Sequence, residues 1–168
     1  KKWPTWHDNP NLWVAPRTFA EQASSEATAR AKVQWLLQNG AVETVADLTL
    51  GSGADSWALA DAGIQTVGTE PNPALVRVLQ QHEQALNLPR RTIQGSADDF
   101  PWECAPRWDA VLVDPSRRAI GGKRWDWDHS QPNPLECWDL WAQKAPQVLI
   151  KTSPLADADA LERSFPNA

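Results

Sequence analysis

Two hydrophobic periods take turns along this chain, and their alternation predicts most of its elements. Ala29, Val33, Leu36 and Leu37 recur on one face of a helix that Ser24 or Ser25 can cap, with Glu26 in its first turn and Asn39-Gly40 closing it. A short apolar run follows as a strand over about 44–50, then a helix over 54–62. A second strand, 65–70, leads to a helix over 73–86, where Leu75, Val78, Leu79, His82 and Leu86 keep helical spacing. Strands at 91–96 and 109–114 come next. A long irregular segment, 115–134, separates them from a helix over about 135–144, a strand at 147–151 and a last helix from near 155. Residues 1–23, rich in Pro and Trp and without any period, read as an irregular arm whose aromatics pack onto the body.

Strands alternating with helices predict an α/β fold with a parallel sheet wound by right-handed crossovers. The expected architecture is a Rossmann-like sheet of order 3-2-1-4-5. Residues 1–40 form an arm and helix packed on the core, and 41–168 form the sheet domain. The topological switch falls between the first and fourth strands, so a ligand is expected at their carboxyl ends. Length and composition fit this picture: 168 residues, 42% hydrophobic and 22% charged, make one globular domain. No apolar run reaches the roughly 18–20 residues that span a bilayer, and no signal segment opens the chain, so no membrane role is expected. Cys104 and Cys137 lie far apart without metal-ligand spacing, and His7, His82 and His129 show none either. No metal is expected, and a reducing cytoplasm is the default compartment. The net charge of −5 weighs against nucleic-acid binding by bulk electrostatics while leaving room for a local basic patch. Eleven Trp, no Tyr and no Met have no physical explanation. The missing initiator Met suggests a processed, trimmed or engineered form of something longer.

Candidate chemistry gathers at the carboxyl ends of the strands. In Asp47-Leu48-Thr49-Leu50-Gly51-Ser52-Gly53-Ala54-Asp55-Ser56 a strand ends in a glycine turn that runs straight into a helix. Gly51 and Gly53 let backbone approach a nucleoside, and Glu70, nineteen residues after Gly51, stands where an acid bonds ribose hydroxyls. A dinucleotide fold would place a third glycine at position 56. Here that position is Ser56, and Asp55 in the first helical turn would repel a pyrophosphate. A cofactor with an amino group and no phosphate fits better, namely S-adenosylmethionine. Its carboxylate can face backbone N–H groups, and Asp47 can attract its ammonium directly or through water. A tight turn without a ligand is the plain alternative. Asp98, read as ending the third strand, can accept from the adenine amine; Asp99 competes for that role, and either can simply cap a turn.

The fourth strand delivers Asp114-Pro115-Ser116-Arg117-Arg118. A carboxylate before proline sets acceptors at a rigid corner, where they can hold an amine and aim its lone pair at a methyl group. Arg117, Arg118, Lys123 and Arg124, followed by Trp125 and Trp127, can pair phosphates and stack a base, or equally form a solvated charge run with rings tucked into the core. Lys151, in Lys151-Thr152-Ser153-Pro154, ends the fifth strand near the expected pocket and can position a substrate.

Together with Glu21–Ala29, these motifs resemble class I S-adenosylmethionine-dependent methyltransferases, nearest a bacterial group whose methyltransferase domain precedes a THUMP-like domain. The resemblance covers most of the chain. It implies that Asp47, Gly51, Gly53, Glu70 and Asp98 bind the cofactor, and that Asp114 occupies the acidic position of the Asp/Asn-Pro-Pro-aromatic motif of amino methyltransferases, with Pro115 beside it. Ser116 and Arg117 depart from that motif's second proline and aromatic, which weakens the expectation of base N-methylation. No Pro-Cys or Thr-Cys nucleophile is present. The expected function is direct, in-line methyl transfer with Asp114 orienting the acceptor, and Arg117, Arg118 and Lys151 on the substrate side. RNA is a candidate partner through a domain these residues do not contain. A full class I sheet has seven strands and five are read here, so the chain is expected to be a fragment lacking C-terminal strands. The rival expectations are an NAD-dependent oxidoreductase on a similar fold and a non-catalytic RNA-binding module.

Overall fold

The computed structural model describes residues 21–117, 127, 130–152, 156 and 158–165. Helix α1 (Glu26–Gln38) begins at Ser25, whose hydroxyl accepts from the Thr28 N–H at 3.1 Å. Then follow β1 (Thr44–Asp47), α2 (Ala54–Asp61), β2 (Gln65–Glu70), α3 (Pro73–Leu86), β3 (Arg90–Gln94) and β4 (Ala110–Val113). A short pair, β5 (Ser116–Arg117) and β6 (Ser130–Gln131), precedes α4 (Pro134–Lys144), β7 (Gln147–Ile150) and α5 (Ala158–Ser164). Helices α3 and α4 share one start: an Asn N-cap, Asn72 or Asn133, accepts from backbone N–H groups while Pro sits in the first turn.

Five strands form one parallel sheet in the order β3-β2-β1-β4-β7. The spatial order is the expected one. Its last strand is seventh in the chain because β5 and β6 pair antiparallel inside the segment read as irregular, Ser116 with Gln131 and Arg117 with Ser130. Two polar residues per strand carry no hydrophobic period, so the sequence pattern had nothing to show.

Both faces of the sheet are covered, and the strands alternate between them. Val45, Ala110 and Leu112 point into a core built with Ala29, Val33 and Leu36 of α1 and Trp57, Ala58 and Leu59 of α2. Ala46, Val111 and Val113 point the other way, into a core with Phe100, Trp108, Trp141 and Ala145. Two details correct the helical reading. Leu37 is 48% exposed, and the buried face of α1 is Glu26, Ala29, Val33 and Leu36; Glu26 is accommodated by Arg30 one turn on, at 3.0 Å. In α3 the buried row runs through Val76 instead of Val78. Among the described residues, no helix is long and apolar enough to cross a membrane.

Candidate active site

Parallel pairing brings every strand's carboxyl end to one edge. Asp47 stands level with Gly68 and Leu112, Glu70 with Gln94, and Val113 with Ile150, so the loops after β1, β2, β3, β4 and β7 open on a common side. A cavity of about 970 Å³ lies there, lined among others by Leu48–Ser52, Glu70, Ala97-Asp98, Asp114–Ser116 and Lys151.

The turn after β1 is fastened on both flanks. Leu48 N–H donates to Leu112 O (3.0 Å), Leu50 N–H to Thr69 O (3.0 Å), and the Thr69 hydroxyl to Leu48 O (3.1 Å). Gly68 makes the approach possible, because a methyl group added there would lie 2.7 Å from Leu50 Cδ1. Thr49 ties this turn to the corner after β4: its hydroxyl accepts from the Asp114 N–H at 2.6 Å. Nothing in the local pattern singles out Thr49, since its partner is 65 residues away.

Gly51 and Gly53 both adopt left-handed conformations, φ +54° and +77°. Gly51 lines the cavity. Gly53 does not; it sits beneath, where a methyl group would meet Leu79 Cδ2 at 2.8 Å and Arg90 Nη1 at 2.9 Å. The position that a third glycine would fill belongs to Ser56, which is fully buried. Its hydroxyl donates to Gly53 O (2.9 Å) and accepts from Arg90 Nη1 (2.9 Å). Arg90 also bonds Glu83 (3.0 Å) and Leu79 O (2.9 Å), so the turn rests on a buried guanidinium. A charged residue opening β3 gave no sign of this role in the sequence.

Glu70 ends β2 as expected, 7% exposed and on the cavity wall. Burial raises its carboxyl above the ordinary range, while the N–H groups of Asn72 (2.7 Å) and Gly51 hold it down. Asp98 also reaches the cavity, but it does not end the third strand. That strand stops at Gln94, and Asp98 lies in a single helical turn, Ala97–Asp99. The turn forms because the Asp99 carboxylate accepts from the Ser96 N–H (2.9 Å) and hydroxyl (2.8 Å). Asp99 is thereby committed to the turn and Asp98 is left facing the cavity.

Asp47 departs from its expected position. It is 2% exposed and absent from the cavity wall, and its Oδ1 accepts from the Thr49 N–H at 3.1 Å. Burial, and next the Asp55 carboxylate, push its carboxyl up to about 7, against the lowering influence of that N–H and of Lys32. Asp55 is the acid that lines the cavity. Its Oδ2 accepts from Lys32 Nζ (2.6 Å) and Ser24 Oγ (3.2 Å).

At the other end, Asp114 and Lys151 form an ion pair at 2.5 Å, each about one-third exposed. Backbone bonding sets the pair, because Lys151 N–H donates to Val113 O at 2.8 Å. Pro115, Ser116, Trp127, Ser130, Gln131 and Pro132 complete this wall, so β5 and β6 form its lip. Arg117 follows Ser116 in β5. Arg118, Lys123, Arg124, Trp125, His7, His129, Ser153-Pro154 and the arm over 1–20 fall outside the described residues. Trp127 is 7% exposed and meets Phe165 edge to face at 5.8 Å, the arrangement of a packed ring. Among the described residues, no group of three or more His, Cys, Asp or Glu side chains could hold a metal ion.

Sheet order and the turn after β1 together define a Rossmann-like α/β fold of the kind methyltransferases use, and comparison with known structures agrees in fold. The chain superposes on a putative methyltransferase from Porphyromonas gingivalis W83 with a TM-score of 0.75 at 24% identity, covering 90% of this chain and 37% of that one. It also superposes on precorrin-6y C5,15-methyltransferase from Geobacter metallireducens GS-15, with a TM-score of 0.58 at 14% identity, covering 95% and 76%. In sequence it is 23% identical over 154 residues to an uncharacterized S-adenosylmethionine-dependent methyltransferase of Mycobacterium tuberculosis H37Rv. That alignment spans 92% of this chain and 41% of the relative, so the chain covers about two-fifths of the relative's length. No known family profile matches the chain.

Proposed function

We propose that this chain is the S-adenosylmethionine-binding part of a methyltransferase, passing a methyl group directly to an acceptor held at Asp114. The observation that carries the reading is the make-up of the cavity wall. Asp55, Glu70, Asp98 and Asp114 face a single lysine, Lys151, among its described residues, beside the left-handed Gly51 turn. An anionic wall suits a ligand bearing a sulfonium and an ammonium against one carboxylate, and repels a pyrophosphate. Ser56 argues further against a dinucleotide, because its side chain fills the close helix–strand approach that a third glycine would leave open.

The residues present fit the cofactor. In this reading Glu70 bonds the ribose hydroxyls, Asp98 the adenine amine, and Gly51 allows backbone to close on the nucleoside. When bound, the cofactor supplies an electrophilic methyl group on a positively charged sulfur. Lys151 fixes the Asp114 carboxylate by Oδ2, and the Thr49 hydroxyl fixes the Asp114 N–H. An acceptor N–H or O–H docked on this carboxylate is thus oriented by a corner secured at two points, and the catalytic contribution is positioning. Pro115 restricts the backbone of Asp114 and keeps the corner rigid. We extend the proposal to RNA as the substrate class, on the strength of the resemblance to methyltransferases that precede a THUMP-like domain. Arg117 immediately follows Ser116 of the cavity lip, where a phosphate contact would serve such a substrate.

Calorimetric titration with S-adenosylmethionine and S-adenosylhomocysteine tests the cofactor, and labelled cofactor with total RNA tests the reaction. Binding of both nucleosides and D114A-sensitive labelling of RNA are expected. Absence of binding, or stabilisation by NADH in preference to S-adenosylhomocysteine, overturns the cofactor reading. Cofactor binding without transfer to any RNA pool overturns the substrate class alone.

A further inference from the structure

The proposed cofactor carries an amino-acid end as well as a nucleoside, and the acid expected to meet its ammonium, Asp47, lies behind the wall. We propose that Asp55, held from outside by Lys32 and Ser24, is the carboxylate that receives this ammonium. The assignment rests on the cofactor reading given above and goes one step further, to a residue and a ligand atom.

Three elements converge to build this group: Ser24 from the segment before α1, Lys32 from α1 itself, and Asp55 from the first turn of α2. Lys32 Nζ reaches both Asp55 Oδ2 (2.6 Å) and Ser24 Oγ (3.1 Å), and Ser24 Oγ donates to the same Oδ2 (3.2 Å). Lys32 and Ser24 therefore fix one edge of the carboxylate. The other oxygen, Oδ1, is buried and has no hydrogen-bond partner among the described residues. A carboxylate oxygen that has lost water without gaining a donor is uncommon in a folded protein and calls for one. Asp55, Ser24, Ala23 and Gln22 all line the cavity, on the same wall as Gly51 and Ser52. An ammonium seated against Asp55 from the cavity supplies the missing donor.

Charge points the same way. The Asp55 carboxylate acts on Asp47, which also feels Lys32 and Arg90, while Lys32 pairs with Asp55 at 2.6 Å. Lys32 engages Asp55 through Oδ2 alone, and the cavity side of Asp55 is where a second cation can enter. Asp47 then acts from behind, through the turn it braces by way of the Thr49 N–H.

The test compares two nucleosides that differ only in the amino-acid end: S-adenosylhomocysteine, and 5′-methylthioadenosine, which lacks it. In wild-type protein the first should bind more tightly. D55N should weaken S-adenosylhomocysteine at least tenfold while leaving 5′-methylthioadenosine within twofold, and S24A should do the same more mildly. D47N should preserve the gap between the ligands. Thermal unfolding of each variant shows whether it is folded, and S24A, the gentlest change, keeps the comparison decisive if D55N is not. Equal weakening of both ligands by D55N, no effect of D55N on either, or closure of the gap by D47N instead overturns the assignment while leaving the cofactor reading intact. Failure of the wild-type protein to bind either nucleoside overturns both.

Discussion

Replacing Asp47 by Asn should make the protein more stable, and the gain should appear only as pH rises. Asp47 titrates at 3.8 in an ordinary setting and at about 7 in the fold, because burial and then the Asp55 carboxylate oppose its charge. The folded state therefore keeps a proton that the unfolded chain has released. Stability linked to that proton is fully present below pH 3.8 and is lost progressively as pH climbs to about 7. At roughly 1.36 kcal/mol per pK unit, the ceiling on the loss is about 4 kcal/mol. Asn keeps the shape, and its Oδ1 can still accept from the Thr49 N–H, so D47N removes the charge without removing the brace. Urea unfolding of both proteins from pH 4 to pH 8 gives the difference directly. Asp109 complicates either curve alone: burial works against its charge, yet the N–H groups of Glu43 and Thr44 with Arg107 hold its carboxyl at about 2, so its contribution fades as pH falls. That contribution cancels in the difference. D47N should match wild type near pH 4 and exceed it by about 2–4 kcal/mol at pH 8. A difference that stays flat with pH, or a D47N protein less stable than wild type at pH 8, would refute the reasoning.

Three further outcomes follow from the geometry. G53A imposes φ +77° on an alanine and drives its methyl group into Leu79 and Arg90, so chemical denaturation should show a loss of about 1–3 kcal/mol from the backbone alone. R90M leaves the Glu83 carboxylate with Thr92 but without its cation and removes the donors to Ser56 and Leu79; unfolding should show a loss of about 3–5 kcal/mol, and R90K should lose less. On the proposed reading, in which Asp114 holds the acceptor, D114A should cut methyl transfer by about 10²-fold or more while leaving the S-adenosylhomocysteine affinity within twofold; equal loss in both measurements would place Asp114 with the cofactor instead.

The fold was legible wherever burial wrote a period into the chain. Residues 65–70 and 73–86 match β2 and α3 to the residue, because Gly, Pro and Asn punctuate both. Strand ends were less legible. The apolar run to Leu50 reads as strand, yet β1 stops at Asp47: Leu48 and Leu50 remain buried while their N–H groups turn to β4 and β2. Apolar character marks what is buried, and cannot say whether the backbone there is still in a ladder.

The site was legible at the same grain. Gly51, Glu70, Asp98, Asp114 and Lys151 reach one cavity because each terminates, or closely follows, a strand of the same parallel sheet, and strand ends can be counted from sequence. Choosing between neighbouring acids could not be done that way. Asp47 and Asp55 are eight positions apart on one turn, and Asp98 and Asp99 are adjacent. What separates them is which carboxylate the backbone consumes: Thr49 N–H takes Asp47, and Ser96 takes Asp99. Asp55 is held at the cavity by Lys32 and Ser24, 23 and 31 residues upstream in a helix and its approach that carry no nucleotide signature. The glycine turn can be read from the sequence, but the charge beside it is set by side chains that only the tertiary fold brings to it.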